Sequence, residues 1–181
     1  MGGPGTDGGT PLPEDASAKN DGVLFAHNDS GDTARIFALR ASDAVLLGIV
    51  DVEGAEAIDW EAIAHGPAAG GPGLYVGDIG DNGAARPKIT VYVLPEPVLP
   101  ATKVTVERRI DLTWEDGPRD TEALLVDPAD GTVAVVTKTV GTPEVYVAEG
   151  GVLRKKGAVD FGATGKIRLV TAASVNRSGD A

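Results

Sequence analysis

Leu74-Tyr75-Val76-Gly77-Asp78-Ile79-Gly80-Asp81-Asn82 is an apolar, strand-like run that breaks into a glycine-rich turn carrying two aspartates and an asparagine. An earlier stretch, Val23-Leu24-Phe25-Ala26-His27-Asn28-Asp29-Ser30-Gly31-Asp32, is built the same way. Behind each turn lies a second extended run centred on an aromatic residue, 35–39 around Phe37 and 89–94 around Tyr92. A third, weaker copy leads from 133–138 through Gly141-Thr142-Pro143 into 144–148 around Tyr146. Phe37, Tyr92 and Tyr146 are 55 and 54 residues apart (92 − 37 and 146 − 92). A fixed period of this size marks a radial or stacked repeat.

The 181 residues suffice for one domain with a core, and 42% hydrophobic content agrees. With 25 Gly, 12 Pro and only 4% aromatics, the composition suits many short strands joined by turns better than helices. A formal charge of −11 argues against nucleic acid or an anionic membrane as partner, whose phosphates it would repel, and fits a protein that holds cations; solubility alone is the plainer account. There is no cysteine, so disulfides and thiolate metal sites are excluded. No apolar run approaches the ~20 residues needed to cross a bilayer. Residues 1–20, rich in Gly and Pro and poor in apolar side chains, read as a disordered linker without the features of a signal peptide.

From about residue 21 onward the expected strands are 23–27, 35–39 and 45–52, then 58–64, a Gly/Pro loop over 65–73, the Leu74 strand, 89–94, and a half-exposed outer strand over 103–112. A second unit opens with Asp120-Thr121-Glu122-Ala123-Leu124, an echo of Asp59-Trp60-Glu61-Ala62-Ile63, and continues through 133–138, 144–148 and 152–159. Residues 169–175 read as one more strand, with a turn at 176–180. Four short antiparallel strands repeating in this way predict an all-β chain, a partial β-propeller of about three four-stranded blades. A sandwich is the competing architecture, but it leaves the Asp-x-Glu-Ala echo unexplained. Three blades do not close a ring, so the chain is expected to be truncated or to self-associate through open sheet edges.

In an antiparallel blade, the start of the innermost strand and the end of the next reach one face. Asp59, Glu61, Asp120, Glu122 and the turns 27–32 and 78–82 should therefore converge at one rim. Crowded carboxylates there need a cation or a proton, and an oxygen-only ligand set favours Ca²⁺ or Mg²⁺. Neither acidic turn has the EF-hand spacing. Asp, Asn, Ser and Gly are also ordinary turn formers, and Asp59 and Asp120 could instead tie one blade to the next by accepting backbone N–H bonds. Lys138, at the position expected to match Asn28 and Asp78, could bind an anionic group or balance Glu122. His27 is the candidate acid/base group; His65, in the expected loop, is not. Trp60 and Trp114 are expected to pack between blades. No nucleophile elbow or phosphate-binding loop is present.

The motifs His27-Asn28-Asp29-Ser30-Gly31-Asp32, Asp59-Trp60-Glu61, Tyr75 to Asn82 and Asp120-Thr121-Glu122-Ala123-Leu124 together resemble those of a family of uncharacterised, usually secreted bacterial β-propeller proteins. That family looks related in architecture to phytase-like, esterase-like and gluconolactonase-like propellers. The resemblance implies an extracellular or cell-envelope location, Ca²⁺ at the channel mouth and ester or phosphoester hydrolysis of a small-molecule substrate. In those terms Asp59, Glu61, Asp78, Asp81, Asn82 and Glu122 would bind the ion, and His27 with Asp29 would assist a metal-polarised water. The chain departs from the pattern in lacking later blades and in having Lys138 where an acid is expected. The alternative is a non-catalytic binding or scaffold propeller with purely structural acidic turns.

Overall fold

Every regular element is a strand among the residues that the computed structural model describes, 17–162 and 169–175. The alternating run of β1 (Val23–His27), β2 (Arg35–Arg40) and β3 (Leu46–Glu53) forms an antiparallel meander. β4 (Trp60–Ala68), β5 (Gly71–Asp78) and β6 (Lys88–Pro95) begin a second meander. β7 (Lys103–Thr105) crosses back to pair in parallel with β3, and β8 (Arg108–Trp114) completes the second meander beside β6. A third meander comprises β9 (Thr121–Val126), β10 (Val133–Thr137), β11 (Glu144–Glu149) and β12 (Val152–Ala158).

β1, β2, β3 and β7 make a four-stranded sheet, and the other eight strands make one sheet in the order β4-β5-β6-β8-β12-β11-β10-β9. Its two halves join where β8 and β12 pair in parallel through Thr113–Val152 and Trp114–Leu153. The sheet folds back on itself until its end strands β4 and β9 lie side by side, a nearly closed barrel with two walls pressed together.

Side-chain alternation sets the stacking order. From the first wall (β4, β5, β6, β8), Leu74, Val76, Tyr92 and Leu94 point toward the four-stranded sheet and meet Phe25, Ile36, Val50 and Val52. Tyr75, Val91 and Val93 point the other way, against Leu124, Val133, Val135 and Tyr146 of the second wall. A sheet covered on both faces needs apolar residues at consecutive positions, which is why 89–94 reads Ile-Thr-Val-Tyr-Val-Leu without alternation. Trp60 lies in the first cluster, 6.3 Å from Tyr92, with its indole N–H donated to the Glu56 carbonyl. Trp114 meets Tyr146 edge-on at 5.0 Å in the second cluster.

Three expectations are corrected. Residues 65–73 are not a loop, because β4 and β5 form a long hairpin turning at Ala69-Gly70, with His65 in β4 opposite Leu74. The glycines there serve close approach: a Cβ on Gly66 would lie 2.7 Å from the Tyr75 ring, and one on Gly73 2.7 Å from the Leu94 carbonyl. Residues 103–112 are not one outer strand. The chain changes sheets within it, since Val106 N–H bonds to the Glu53 carbonyl and Glu107 N–H to that of Val93. Residues 169–175 are irregular rather than a strand; Ala172, Ala173 and Ser174 lie along β4 without joining a ladder. Of the segment 1–20 expected to be disordered, residues 1–16 lie outside the described residues, as does the turn expected at 176–180, whereas 17–20 are held in place.

Ahead of β1, Ser17 to Asn20 dock on the connection after β6. The buried Glu96 carboxylate accepts bonds from Ser17 Oγ, from the amides of Ala18 and Lys19, and from Asn20 Nδ2.

Candidate cation site at the sheet rim

The cluster draws on two places in the sequence: Asp29, in the turn after β1, and the Asp59-Trp60-Glu61 motif, with Asp59 just before β4 and Glu61 in it. Their carboxylate oxygens nevertheless lie within 4.8 Å of one another. Glu61 gets there through a β-bulge: Trp60 pairs with Asp78 and Ala62 with Gly77, which leaves Glu61 unpaired and free to re-aim. Glu122 sits in an equivalent bulge, between Thr121–Thr137 and Ala123–Val136. Gly80 closes the floor. A Cβ there would overlap Asp59 Oδ2 and lie 2.6 Å from Glu61 Oε1.

The electrostatics follow from this crowding. Burial, then the charges of Asp29, Glu122 and Asp59, push Glu61 up to about 7, with Lys138 pulling the other way. Asp59 is raised by burial and by Asp29, and Arg86 opposes the shift.

The remaining expected ligands are engaged elsewhere. Asp78, 1% exposed, accepts the Asp59 amide at 3.0 Å and pairs with the Arg86 guanidinium at 3.0 Å. Asp81 accepts the Arg86 amide at 2.7 Å, and Arg86 Nη1 donates to the Gly80 carbonyl at 2.6 Å. That turn is therefore closed by a cation the chain itself supplies, and Asn82 is exposed beside it. Glu122 pairs with Lys138, which also weighs on Glu61. Asp120 does tie one wall to the next, its Oδ1 accepting the Asp81 amide at 2.9 Å. The strand register gives the place of Asp78 to Thr137 rather than to Lys138, since Asp78 pairs with Trp60 and Thr137 with Thr121.

His27 Nδ1 lies 2.8 Å from the Asn28 carbonyl, and the ring meets Trp60 edge-on at 6.2 Å. A carbonyl only accepts, so Nδ1 carries the proton and Nε2 the lone pair in the neutral ring. His27, Glu61 and Glu122 line one cleft of about 410 Å³, bordered by Ala172, Ala173 and Ser174. Sequence reasoning missed Arg86 as the clamp of the acidic turn. A signal was present, because Arg86 is the first Lys or Arg after Arg40 in a stretch rich in acids.

No protein-family model matches the chain, and no curated protein matches it.

Proposed function

We propose that this chain is part of a β-propeller, its three meanders being successive blades, and that the rim binds a divalent cation between Asp29, Asp59 and Glu61. The observation that carries this reading is the meeting of Asp29 with the Asp59–Glu61 pair of a distant segment, all three carboxylates within 4.8 Å, while the nearest basic groups, Arg86 and Lys138, are paired with Asp78 and Glu122. Like charges held this close are costly unless a proton or a cation intervenes. Three carboxylates with water completing the shell suit Ca²⁺, whose irregular coordination tolerates a partly exposed site better than the octahedron of Mg²⁺ does. An extracellular setting supplies calcium at concentrations that a weak site of this kind can use.

A hydrolytic role is the second reading, favoured by His27 lining the same cleft as Glu61. The ion would polarise a water or an ester or phosphoester oxygen, and His27, holding a lone pair on Nε2, would accept a proton. Calorimetric titration with Ca²⁺ and Mg²⁺, on the wild type and Asp59→Asn, tests the cation; a screen of small esters and phosphomonoesters with and without calcium tests the chemistry. Calcium binding lost in Asp59→Asn, together with calcium-dependent turnover lost in His27→Ala, supports both readings. Binding without turnover leaves a cation-stabilised scaffold, and no binding removes the cation.

A further inference from the structure

The aromatic that marks each repeat points toward the preceding sheet. Tyr92 is 1% exposed against the four-stranded sheet, and Tyr146 is fully buried against the wall before it. Phe37 holds the same place in the first repeat and faces outward, where no described residue forms a sheet. It stands in an apolar face. One cross-strand row is Leu24–Leu39–Leu46 and the next is Ala26–Phe37–Ile49, with Arg35 opposite Asp51 at the border. Leu46 is 52% exposed, Leu47 in the adjoining bulge 42% and Ile49 40%. In a chain of net charge −11, the charges of this face are balanced and lie along one border, with Arg35 opposite Asp51 and Glu53 paired with Lys103 of β7.

The last wall ends the stack with the opposite kind of face. Its Ala134 and Val147 pair across β10 and β11, as do Val136 and Val145, and they point away from the second cluster. Val145 and Val147 hold the places that Val91 and Val93 hold in the wall before, where those residues cover Tyr146. An outward Phe37 at one end and outward valines at the other, Val145 and Val147 half-buried and Val136 buried, correspond to the two halves of the interface already used twice within the chain.

We infer that a second copy of this chain lays its β9–β12 face on the β1–β3 face of the first, and that the reciprocal contact closes a two-fold ring of six sheets. A head-to-tail contact forms a ring when its rotation closes, and six sheets fall within the four to eight usual for propellers. Closure places both copies' carboxylate rims around one channel. The inference builds on the propeller architecture proposed above and is independent of whether the rim holds a cation.

Sedimentation velocity of the full chain across a concentration series tests it. The wild type is expected to approach twice 18.4 kDa as concentration rises. Ile49→Lys and, separately, Val147→Glu should each weaken association by roughly tenfold or more, and mixing the two should restore the dimer through the new charge pair. Leu47→Lys is a second variant on the first face, and circular dichroism confirms that each variant is folded. Calcium titration run in parallel separates loss of the dimer from loss of the rim site. A monomer at every concentration overturns the inference, as does a dimer indifferent to both Ile49→Lys and Leu47→Lys. Association lost in each single variant but not recovered in the mixture overturns the head-to-tail arrangement.

Discussion

Arg86 lies 3.0 Å from Asp78 and returns to the turn that Asp78 begins, binding Gly80 and Asp81 as well. This separates two kinds of acid at the rim. Asp78 is neutralised from within the chain and Asp81 is bound by the Arg86 backbone amide, so both are structural; Asp29, Asp59 and Glu61 have no ion-pair partner among the described residues.

Removing the clamp should cost more than a surface ion pair does. Arg86→Ala leaves the 1% exposed Asp78 without its cation, and breaking a buried pair from one side typically costs about 3–5 kcal/mol. Chemical denaturation of the variant should show a loss of this order, with Arg86→Lys in between because one ammonium cannot serve both Asp78 and Gly80. A loss below about 1 kcal/mol would mean that Asp78 finds water instead.

The pH dependence has a definite sign. Glu61 holds its proton up to about 7 in the folded chain, above its ordinary 4.5, so folding binds a proton. Its contribution to stability is complete below about pH 4.5 and is lost as the pH rises through 7. Without calcium, melting temperature should fall by a few degrees across this window, and Glu61→Gln should flatten the profile; allowing for solvent screening, about 1–2 kcal/mol is involved. A profile identical in wild type and Glu61→Gln would show that the carboxylates do not feel one another.

Gly80→Ala is expected to injure the site without touching a ligand. The added methyl would overlap Asp59 and lie 2.6 Å from Glu61, so the two carboxylates must part or the turn must shift. Calcium affinity should drop by roughly tenfold or more in a chain that still folds, because ligand geometry is lost before the core is. Unchanged affinity would place the ion elsewhere.

At the other end of the molecule, Glu96 is the anchor of residues 17–20. Glu96→Ala removes the acceptor of the Ala18 and Lys19 amides, so hydrogen exchange there should accelerate before exchange in β5 or β6 changes. The global cost should be about 1–2 kcal/mol, since buried Ser17 Oγ loses its acceptor while the exposed amides of Ala18 and Lys19 can turn to water. Unaltered protection at Ala18 and Lys19 would show that the segment is held by other contacts.

The strands were legible wherever a run of apolar residues ended in a turn of Gly, Asp and Asn, and the aromatic period correctly placed Tyr92 and Tyr146 at equivalent points of successive meanders. What misled was composition without context. Gly66, Pro67, Pro72 and Gly73 look like loop residues, yet two strands can pass close to Tyr75 and the Leu94 carbonyl only because Gly66 and Gly73 lack a side chain. The sheet change at Val106-Glu107 coincides with the charged run Glu107-Arg108-Arg109, but Val104, Val106, Ile110 and Leu112 keep one phase across it, so the stretch reads as a single strand. Within the site, Asp59 and Glu61 stood out by their echo in Asp120 and Glu122. The sequence points to Asp29 only as a helper to His27, because the distance between a turn after β1 and the start of β4 is set by tertiary packing alone.

The most direct measurement is a calcium titration near pH 7, repeated in buffers of different ionisation enthalpy, on the wild type and Glu61→Gln. A cation seated between Asp29, Asp59 and Glu61 must displace the proton Glu61 shares at that pH, so the wild type should bind one ion and release a fraction of a proton. Glu61→Gln should bind more weakly and release none. Binding with no proton release, or equal binding by both proteins, would contradict the account.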